Sequence, residues 1–259
     1  MPFFLDIASA FDAAWHPAIV KALINKSGPN YLTRIIDNFL KDRTVILKSG
    51  LLKQSHTALL GCPQGGVLSP FLWNVLIDQI IRESFPFPQK VVAYADDIVL
   101  LVTNPNPEQV TDQLQIMCNT IVKKLKGIML EVNAEKCVFM LFNRKQSPYQ
   151  VPSIKINQDV LEVVESTRYL GFILDTKLRW KLHVESRCLA ASRIINGFRR
   201  YLRLTWGLST ANLKLIYKTI IIPTLLYGCS VWAGALRYKL CTRKFRSAQR
   251  GVTKHITAW

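Results

Sequence analysis

The chain has 259 residues and is 49% hydrophobic, which is enough to bury a core in one large or two modest domains. Its six cysteines are scattered without a Cys-x-x-Cys spacing, which argues against a disulfide framework or a zinc site and favours reduced intracellular thiols. The net charge of +17 arises almost entirely from residues 177–259, which hold 17 Lys and Arg residues and one acid, Glu185. Such a segment indicates a polyanionic partner, and its spread over several helical segments favours a nucleic-acid groove over an anionic membrane.

The first two thirds of the chain mix predicted strands and helices. A short strand at residues 3–7 ends in the carboxylate of Asp6, and Asp12 can cap a short helix running toward Leu23. Further strands are predicted at residues 44–48, 54–59 and 137–142, and further helices at residues 31–40, 69–83 and 107–125. The turn residues at positions 61–66 indicate a loop.

The pattern becomes helical after Asp175. Three short strands at residues 154–156, 160–164 and 169–174 are predicted to form a small sheet. Helices follow at residues 180–202 and 209–222, after Pro223, and at residues 239–256. The uncharged run 220–236 is interrupted by proline and glycine, so a buried helix or helix pair is favoured over a membrane span. The order is therefore an α+β domain followed by an all-helical basic domain.

The most informative local feature is Tyr94-Ala95-Asp96-Asp97, which lies between two apolar runs. This pattern predicts a β-hairpin with its carboxylates at the turn, and it fits either a solvated turn or a cation site. If the strand ending in Asp6 is a neighbour of this hairpin, the carboxylates converge on one face. Such a cluster suits Mg²⁺, and two such ions can activate a 3′-hydroxyl and stabilise pyrophosphate, as in polymerases. The alternative is two unrelated acidic turns.

Five short motifs then occur in order. They are Phe4-Leu5-Asp6-Ile7-Ala8-Ser9-Ala10-Phe11-Asp12, Pro63-Gln64-Gly65-Gly66-Val67-Leu68-Ser69-Pro70, Tyr94-Ala95-Asp96-Asp97, Asn133-Ala134-Glu135-Lys136 and Tyr169-Leu170-Gly171-Phe172. The series resembles motifs A to E of reverse transcriptases, and the helices that follow resemble the thumb of non-LTR (LINE-type, jockey-like) retrotransposon polymerases. The resemblance covers essentially the whole chain.

The resemblance implies an α+β polymerase palm, an antiparallel sheet with packing helices and partial fingers, over residues 1–176. An all-helical thumb would occupy residues 177–259. The implied activity is RNA-directed DNA polymerisation, a nucleotidyl transfer onto a primer 3′-hydroxyl that uses two Mg²⁺ ions, with Mn²⁺ as a possible substitute. The alternative is a truncated, catalytically inactive relic that only binds nucleic acid.

The resemblance also implies catalytic roles. Asp6 and Asp96 would be the principal metal ligands, and Asp97 would support them. Lys136 would be either a general acid for the departing pyrophosphate or a plain phosphate contact. Asp12 is interpreted as a helix cap only, and the tryptophans as packing residues.

Other residues would hold the substrates. The ring of Phe11 would lie under the incoming sugar and collide with a 2′-hydroxyl. Gln64 would contact the nascent base pair and the nucleotide, while Gly65 would let the backbone approach closely. The primer end would be gripped by Tyr169, Leu170 and Gly171. The primer–template contacts in the basic thumb would include Arg199, Arg200 and Arg203.

The expected partners are an RNA template, a DNA primer or RNA–DNA duplex, and dNTPs, with no membrane. The parent polyprotein is expected to supply the remaining fingers and an endonuclease, because motif A starts close to Met1. The family's mode of integration implies action in the nucleus.

Overall fold

A computed structural model describes residues 1–142, 153–198 and 209–257, without the side chains of Pro107 and of residues 252–257. Contacts between residues divide the chain into two compact units, Met1–Val164 and Glu165–Trp259. The first is mixed α/β and the second is mainly helical. The predicted α+β class is confirmed.

The first unit is built on a four-stranded antiparallel sheet. Its strands are β1 (Pro2–Asp6), β4 (Gln89–Tyr94), β5 (Asp97–Val102) and β6 (Val138–Phe139). Their order across the sheet is β4-β5-β1-β6. Its helices are α1 (His16–Asn25), α2 (Asn30–Leu40), α3 (Ser69–Ile81) and α4 (Pro107–Gly127). A separate hairpin pairs β2 (Arg43–Ser49) with β3 (Leu52–Ala58).

One continuous core joins the sheet to its helices. The apolar stripe of α4 is fully inside, comprising Val110, Leu114, Met117, Ile121 and Leu125. These positions recur every three to four residues, so they occupy one face of the helix, and α4 packs that face on β5 and α3. The central strands therefore pack against the helices of one shared core.

Two strand predictions were wrong in detail. The strand predicted at residues 137–142 is shortened to Val138–Phe139, because its antiparallel partner β1 begins at Pro2. Phe139 pairs with Phe3, and the N–H of Met140 donates to the Pro2 carbonyl at 3.0 Å. The small sheet predicted over residues 154–174 is instead two separate hairpins. One pairs β7 (Ile154–Ile156) with β8 (Asp159–Leu161) and packs against α4 in the first unit.

The other hairpin pairs β9 (Ser166–Tyr169) with β10 (Phe172–Asp175) and belongs to the second unit. Its Phe172 ring contacts Trp180 and His183, so the hairpin joins the helical core. For this reason the structural boundary lies at residues 164–165, earlier in the chain than the division predicted at residues 176–177.

The second unit contains α5 (Lys181–Phe198), α6 (Thr210–Ile216), α7 (Ile222–Leu226), α8 (Cys229–Trp232) and α9 (Lys239–Thr257). A π-helical turn, Tyr217–Ile221, joins α6 to α7, and a 3₁₀ turn, Ala233–Arg237, precedes α9. The core lies between α5 and α9 around the buried Trp232. This helical content matches the pattern predicted after Asp175.

The uncharged run 220–236 lies in the helices around this core. Its buried side chains include Ile221, Leu225 and Trp232. Within the described ranges, no single helix is long and apolar enough to cross a membrane. One bent pair, Thr210–Leu226 with Cys229–Arg237 at 45°, meets the requirement by length and composition alone.

Candidate active site

The carboxylates of the first unit meet at the end of the central strand pair. β1 and β5 are antiparallel neighbours in a register that places Asp6 opposite Asp97. Residues directly opposite in such a pair have side chains on the same face of the sheet. Tyr94 pairs with Asp97 across the hairpin, so Ala95 and Asp96 form a two-residue loop. The strand that ends in Asp6 is therefore a neighbour of the hairpin that carries Asp96 and Asp97, which is the arrangement that lets their carboxylates converge.

Negative charge accumulates at this point. Burial, together with the charges of Asp96 and Asp6, raises the pKa of the Asp97 carboxyl above its ordinary value. The Nζ of Lys136 lies 3.8 Å from a carboxylate oxygen of Asp6, a long contact with an exposed cation. In the described parts of the chain, no group of three or more His, Cys, Asp or Glu side chains is arranged to hold a metal ion. Two opposed carboxylates nevertheless fit Mg²⁺, which commonly takes one or two carboxylates plus substrate phosphate oxygens.

The segment that follows α4 supports the end of β1. The backbone N–H of Asp6 donates to Cys137 Sγ at 3.4 Å, and the Asp6 carbonyl accepts from the N–H of Asn133 at 3.0 Å. Burial raises the pKa of the Cys137 thiol to about 11, so it remains protonated at neutral pH. Lys136 stands in the 3₁₀ turn between these two contacts. These two contacts of the Asp6 backbone thus hold the turn that places Lys136 near the carboxylates.

Phe11 is joined to the Asp96 loop by a residue that the sequence interpretation treated as ordinary packing. The rings of Phe11 and Trp73 stack with centroids 5.0 Å apart. Trp73 Nε1 donates to the carbonyl of Ala95 at 2.7 Å. Trp73 lies one helical turn after Ser69, which belongs to the second of the five motifs. This closeness to a motif expected to contact the nucleotide was the sequence feature that could have indicated a role for Trp73 in the site.

The Gln64 loop is bonded to the segment that follows Asp6. Cys62 N–H donates to the Phe11 carbonyl at 2.8 Å, and Gln64 Nε2 donates to Asp12 Oδ1 at 3.0 Å. The interpretation of Asp12 as a helix cap was wrong. The first helix begins at His16 with no side-chain cap, because Asp12 lies before the helix and its carboxylate is engaged by Gln64 instead.

Gly65 follows with φ +81°, and a Cβ placed on it would meet nothing within 4 Å. The backbone is therefore open to a ligand at this point, although a side chain would be strained there.

The predicted primer-grip residues lie in the second unit. Leu170 and Gly171 connect β9 to β10 with φ of +47° and +78°. The hydroxyl of Tyr227 donates to the Leu170 carbonyl at 3.0 Å, and a Cβ on Gly171 would lie 3.0 Å from the Tyr227 ring. Tyr169 is partly buried at the end of β9. Arg199, Arg200 and Arg203 lie outside the described residues.

The second unit also presents a basic stripe on α9, consisting of Lys239, Arg243, Arg246 and Arg250. These four residues are exposed and are spaced so that they share one helix face. They line a cleft of about 790 Å³ together with Arg237 and Thr242. Lys244 points the other way and pairs with Glu185. Among the described residues, no member of the basic stripe takes part in an ion pair.

Comparison with known proteins identifies the family and the fold. The reverse transcriptase (RNA-dependent DNA polymerase) family matches residues 2–174. The chain is 29% identical over 268 residues to the RNA-directed DNA polymerase from mobile element jockey of Drosophila melanogaster, covering 98% of this chain and 28% of that protein. It is 27% identical over 248 residues to a putative 115 kDa protein in type-1 retrotransposable element R1DM of the same species, covering 95% of this chain and 24% of that protein.

A solved structure shows the same fold. Telomerase from Candida tropicalis, in complex with a fragment of telomeric RNA, superimposes with a TM-score of 0.52 at 13% identity, covering 99% of this chain and 43% of that one. The chain spans about a quarter of the length of the jockey and R1DM proteins.

Proposed function

Because this chain belongs to the reverse transcriptase (RNA-dependent DNA polymerase) family, we propose that it is the palm and thumb portion of an RNA-directed DNA polymerase of a non-LTR retrotransposon. The reaction is transfer of a nucleotidyl group from a dNTP to a primer 3′-hydroxyl. The observation that carries this proposal is the register of β1 and β5, which sets Asp6 opposite Asp97 beside the Asp96 loop. The order of these residues along the sequence does not by itself determine that Asp6 and Asp97 lie opposite each other.

The carboxylates would hold divalent cations. Asp6 and Asp96 are the proposed principal ligands, with Asp97 supporting them, and oxygen donors of this kind suit Mg²⁺ or Mn²⁺. Bound ions of this type activate a hydroxyl nucleophile and stabilise charge on a leaving pyrophosphate. The raised pKa of Asp97 supports the proposal, since crowded carboxylates gain most from a neighbouring cation.

The nucleotide would be held by residues around the carboxylates. Phe11 has a half-buried ring packed against Trp73, which leaves it rigid enough to exclude a 2′-hydroxyl. Gln64 would meet the nascent base pair, and the open backbone at Gly65 would lie against the nucleotide. Lys136, close to Asp6, would contact the triphosphate or donate a proton to pyrophosphate.

The second unit would hold the primer–template duplex. The loop at Leu170 and Gly171, to which Tyr227 donates a hydrogen bond, would support the primer end together with Tyr169. Arg199, Arg200 and Arg203 would contact phosphates. The basic stripe of α9 supports this role, because unpaired cations on one face attract a nucleic-acid backbone without reading sequence. The template is proposed to be RNA, as the family description states.

Primer extension tests the proposal. The 259-residue chain is given an RNA template, a DNA primer, dNTPs and Mg²⁺, beside Asp96→Asn and the control Asp112→Asn, which changes an exposed acid on α4. We expect extension that falls about 10²–10³-fold in Asp96→Asn and is unchanged in the control. Equal extension by wild type and Asp96→Asn would contradict the proposed site. Duplex binding without any extension by the wild type would identify a binding relic instead.

A further inference from the structure

Trp73 connects three parts of the proposed site. Its side chain is 1% exposed, on the helix that follows the Gln64 loop. The indole ring stacks on Phe11 at an interplanar angle of 29°. The indole N–H donates to the carbonyl of Ala95, which immediately precedes Asp96. A single buried residue thus contacts the proposed sugar-excluding ring and the loop that carries a proposed metal ligand.

The Asp96 loop, which consists of Ala95 and Asp96, needs such support. Two-residue hairpin loops favour glycine or Asn-Gly and Asp-Gly sequences, because one or both of their central residues adopt positive φ. Ala95 has φ +53° although it carries a Cβ, and a non-glycine residue there is held at an energetic cost. Strained conformations of this kind persist where the surrounding structure over-determines them. The Trp73 hydrogen bond reaches Ala95 from outside the hairpin, at a separation of 22 residues.

The bond is also required by Trp73 itself. An indole N–H is a donor only, and a buried donor without a partner is unfavourable. The Ala95 carbonyl lies at the tip of a loop, where the strand ladder does not use it. Each group therefore fixes the other, and the loop geometry becomes coupled to the packing of α3.

We propose that Trp73 is a positioning residue with two separable actions, an inference that rests on the proposed function. Through its N–H it holds the Asp96 loop so that Asp96 stays beside Asp6 and Asp97 for a divalent cation. Through its ring it holds Phe11 at the sugar. A residue that orients a metal ligand without binding the metal itself changes metal affinity or activity by about 10–100-fold when it is removed.

Two variants separate the two actions. Trp73→Phe keeps an aromatic ring against Phe11 and removes the N–H. Trp73→Leu removes both. The chain also supplies a matched control, Trp232→Phe, because Trp232 is likewise 1% exposed and its Nε1 donates to the Tyr227 carbonyl at 2.8 Å in the second unit.

The first measurement needs no catalytic activity. Hydrogen–deuterium exchange of the intact chain is followed in peptides covering residues 90–100, and Mn²⁺ affinity is measured by electron paramagnetic resonance with Mn²⁺ alone. For Trp73→Phe we expect exchange in the loop at least about tenfold faster and a Mn²⁺ dissociation constant about tenfold higher. Trp232→Phe should leave the loop exchange and the Mn²⁺ affinity unchanged. It should lower the melting temperature by about as much as Trp73→Phe does, because each variant removes one buried indole N–H.

The second measurement uses primer extension. Trp73→Phe should raise the Mg²⁺ concentration for half-maximal rate about tenfold and keep the preference for dNTPs over NTPs, whereas Trp73→Leu should lower that preference as well. Unchanged loop exchange or unchanged Mn²⁺ affinity in Trp73→Phe would overturn the proposal, as would an equal effect of Trp232→Phe. If the wild type extends no primer, the proposed function fails, and the exchange and Mn²⁺ results still decide the role of Trp73.

Discussion

The two units of this chain handle charge in opposite ways. The first brings carboxylates together, with Asp6 opposite Asp97 and Asp96 in the adjoining loop. The second spreads cations along a helix face and pairs its one acid beyond residue 176, Glu185, with Lys244. Crowded like charge in a small volume favours a compact cation, whereas a line of separated cations favours an extended polyanion. The contrast supports the proposed assignment of nucleotide transfer to the first unit and of duplex binding to the second.

Both units hold their loops by hydrogen bonds between segments far apart in the chain. In the first unit, Gln64 donates to Asp12 and Trp73 donates to Ala95. In the second, the hydroxyl of Tyr227 donates to the carbonyl of Leu170, and its ring lies close to Gly171. Because each of these bonds lies within one unit, a substitution should change the property proposed for its own unit, nucleotide transfer or duplex binding, and spare the other.

The largest difference between the two units is expected when the basic stripe is substituted. Replacing Arg243, Arg246 and Arg250 by Gln should weaken RNA–DNA duplex binding about tenfold or more and lower the slope of log affinity against log salt by about 2–3. Fluorescence anisotropy over a salt series measures both. The control changes Lys123, Lys126 and Lys155 of the first unit to Gln, which removes the same charge. Equal losses in the two triple variants would mean that net charge alone, and not the stripe, binds the duplex.

The next effect concerns the second unit's loop. Gly171→Ala places a Cβ at φ +78° and 3.0 Å from the Tyr227 ring, so it should destabilise the unit by about 1–2 kcal/mol in denaturant unfolding. Gly197→Ala is the control, because that glycine lies in α5 with no atom within 4 Å of the added Cβ. It should be neutral or slightly stabilising. A neutral Gly171→Ala would show that the loop is not constrained by Tyr227.

A smaller effect should follow from Asp12. An ionised carboxylate only accepts hydrogen bonds, so Asp12 turns the Nε2 of Gln64 toward itself and leaves Oε1 for the nucleotide. Asp12→Ala should raise the KM for dNTP about fivefold, with duplex affinity unchanged. Combination with Gln64→Ala should add little, because both changes remove one interaction. Steady-state extension kinetics test this, and fully additive losses would argue against it.

The smallest expected change is in stability. Asp97 has a raised pKa, so the folded state favours its protonated form, and its contribution to stability falls as pH rises above the ordinary carboxyl pKa of about 4. Asp97→Asn should therefore raise the melting temperature of the metal-free chain by about 1–2 °C at pH 7 and by less at pH 4. Thermal melts at the two pH values check the sign. A lower melting temperature at pH 7 would mean that Asp97 stabilises the fold without a cation.

Much of the fold follows from local pattern. Apolar spacing predicted α4, and an apolar-flanked Asp-Asp pair predicted the β4–β5 hairpin. The errors occur where the partner decides the structure. β6 is short because its partner β1 begins at Pro2, whose carbonyl accepts from the N–H of Met140. The β9–β10 hairpin joins the helical unit because Phe172 packs on Trp180 and His183.

The sequence by itself determined the chemical groups of the site and the division of charge, because both are properties of composition and order. The tertiary structure decided which groups meet. Gln64 and Asp12 are 52 residues apart and Trp73 and Ala95 are 22 apart, so their bonds depend on strand register and helix packing. Local periodicity carries no information about either. Asp12 and Trp73, interpreted from sequence as a cap and as packing, became part of the site for that reason.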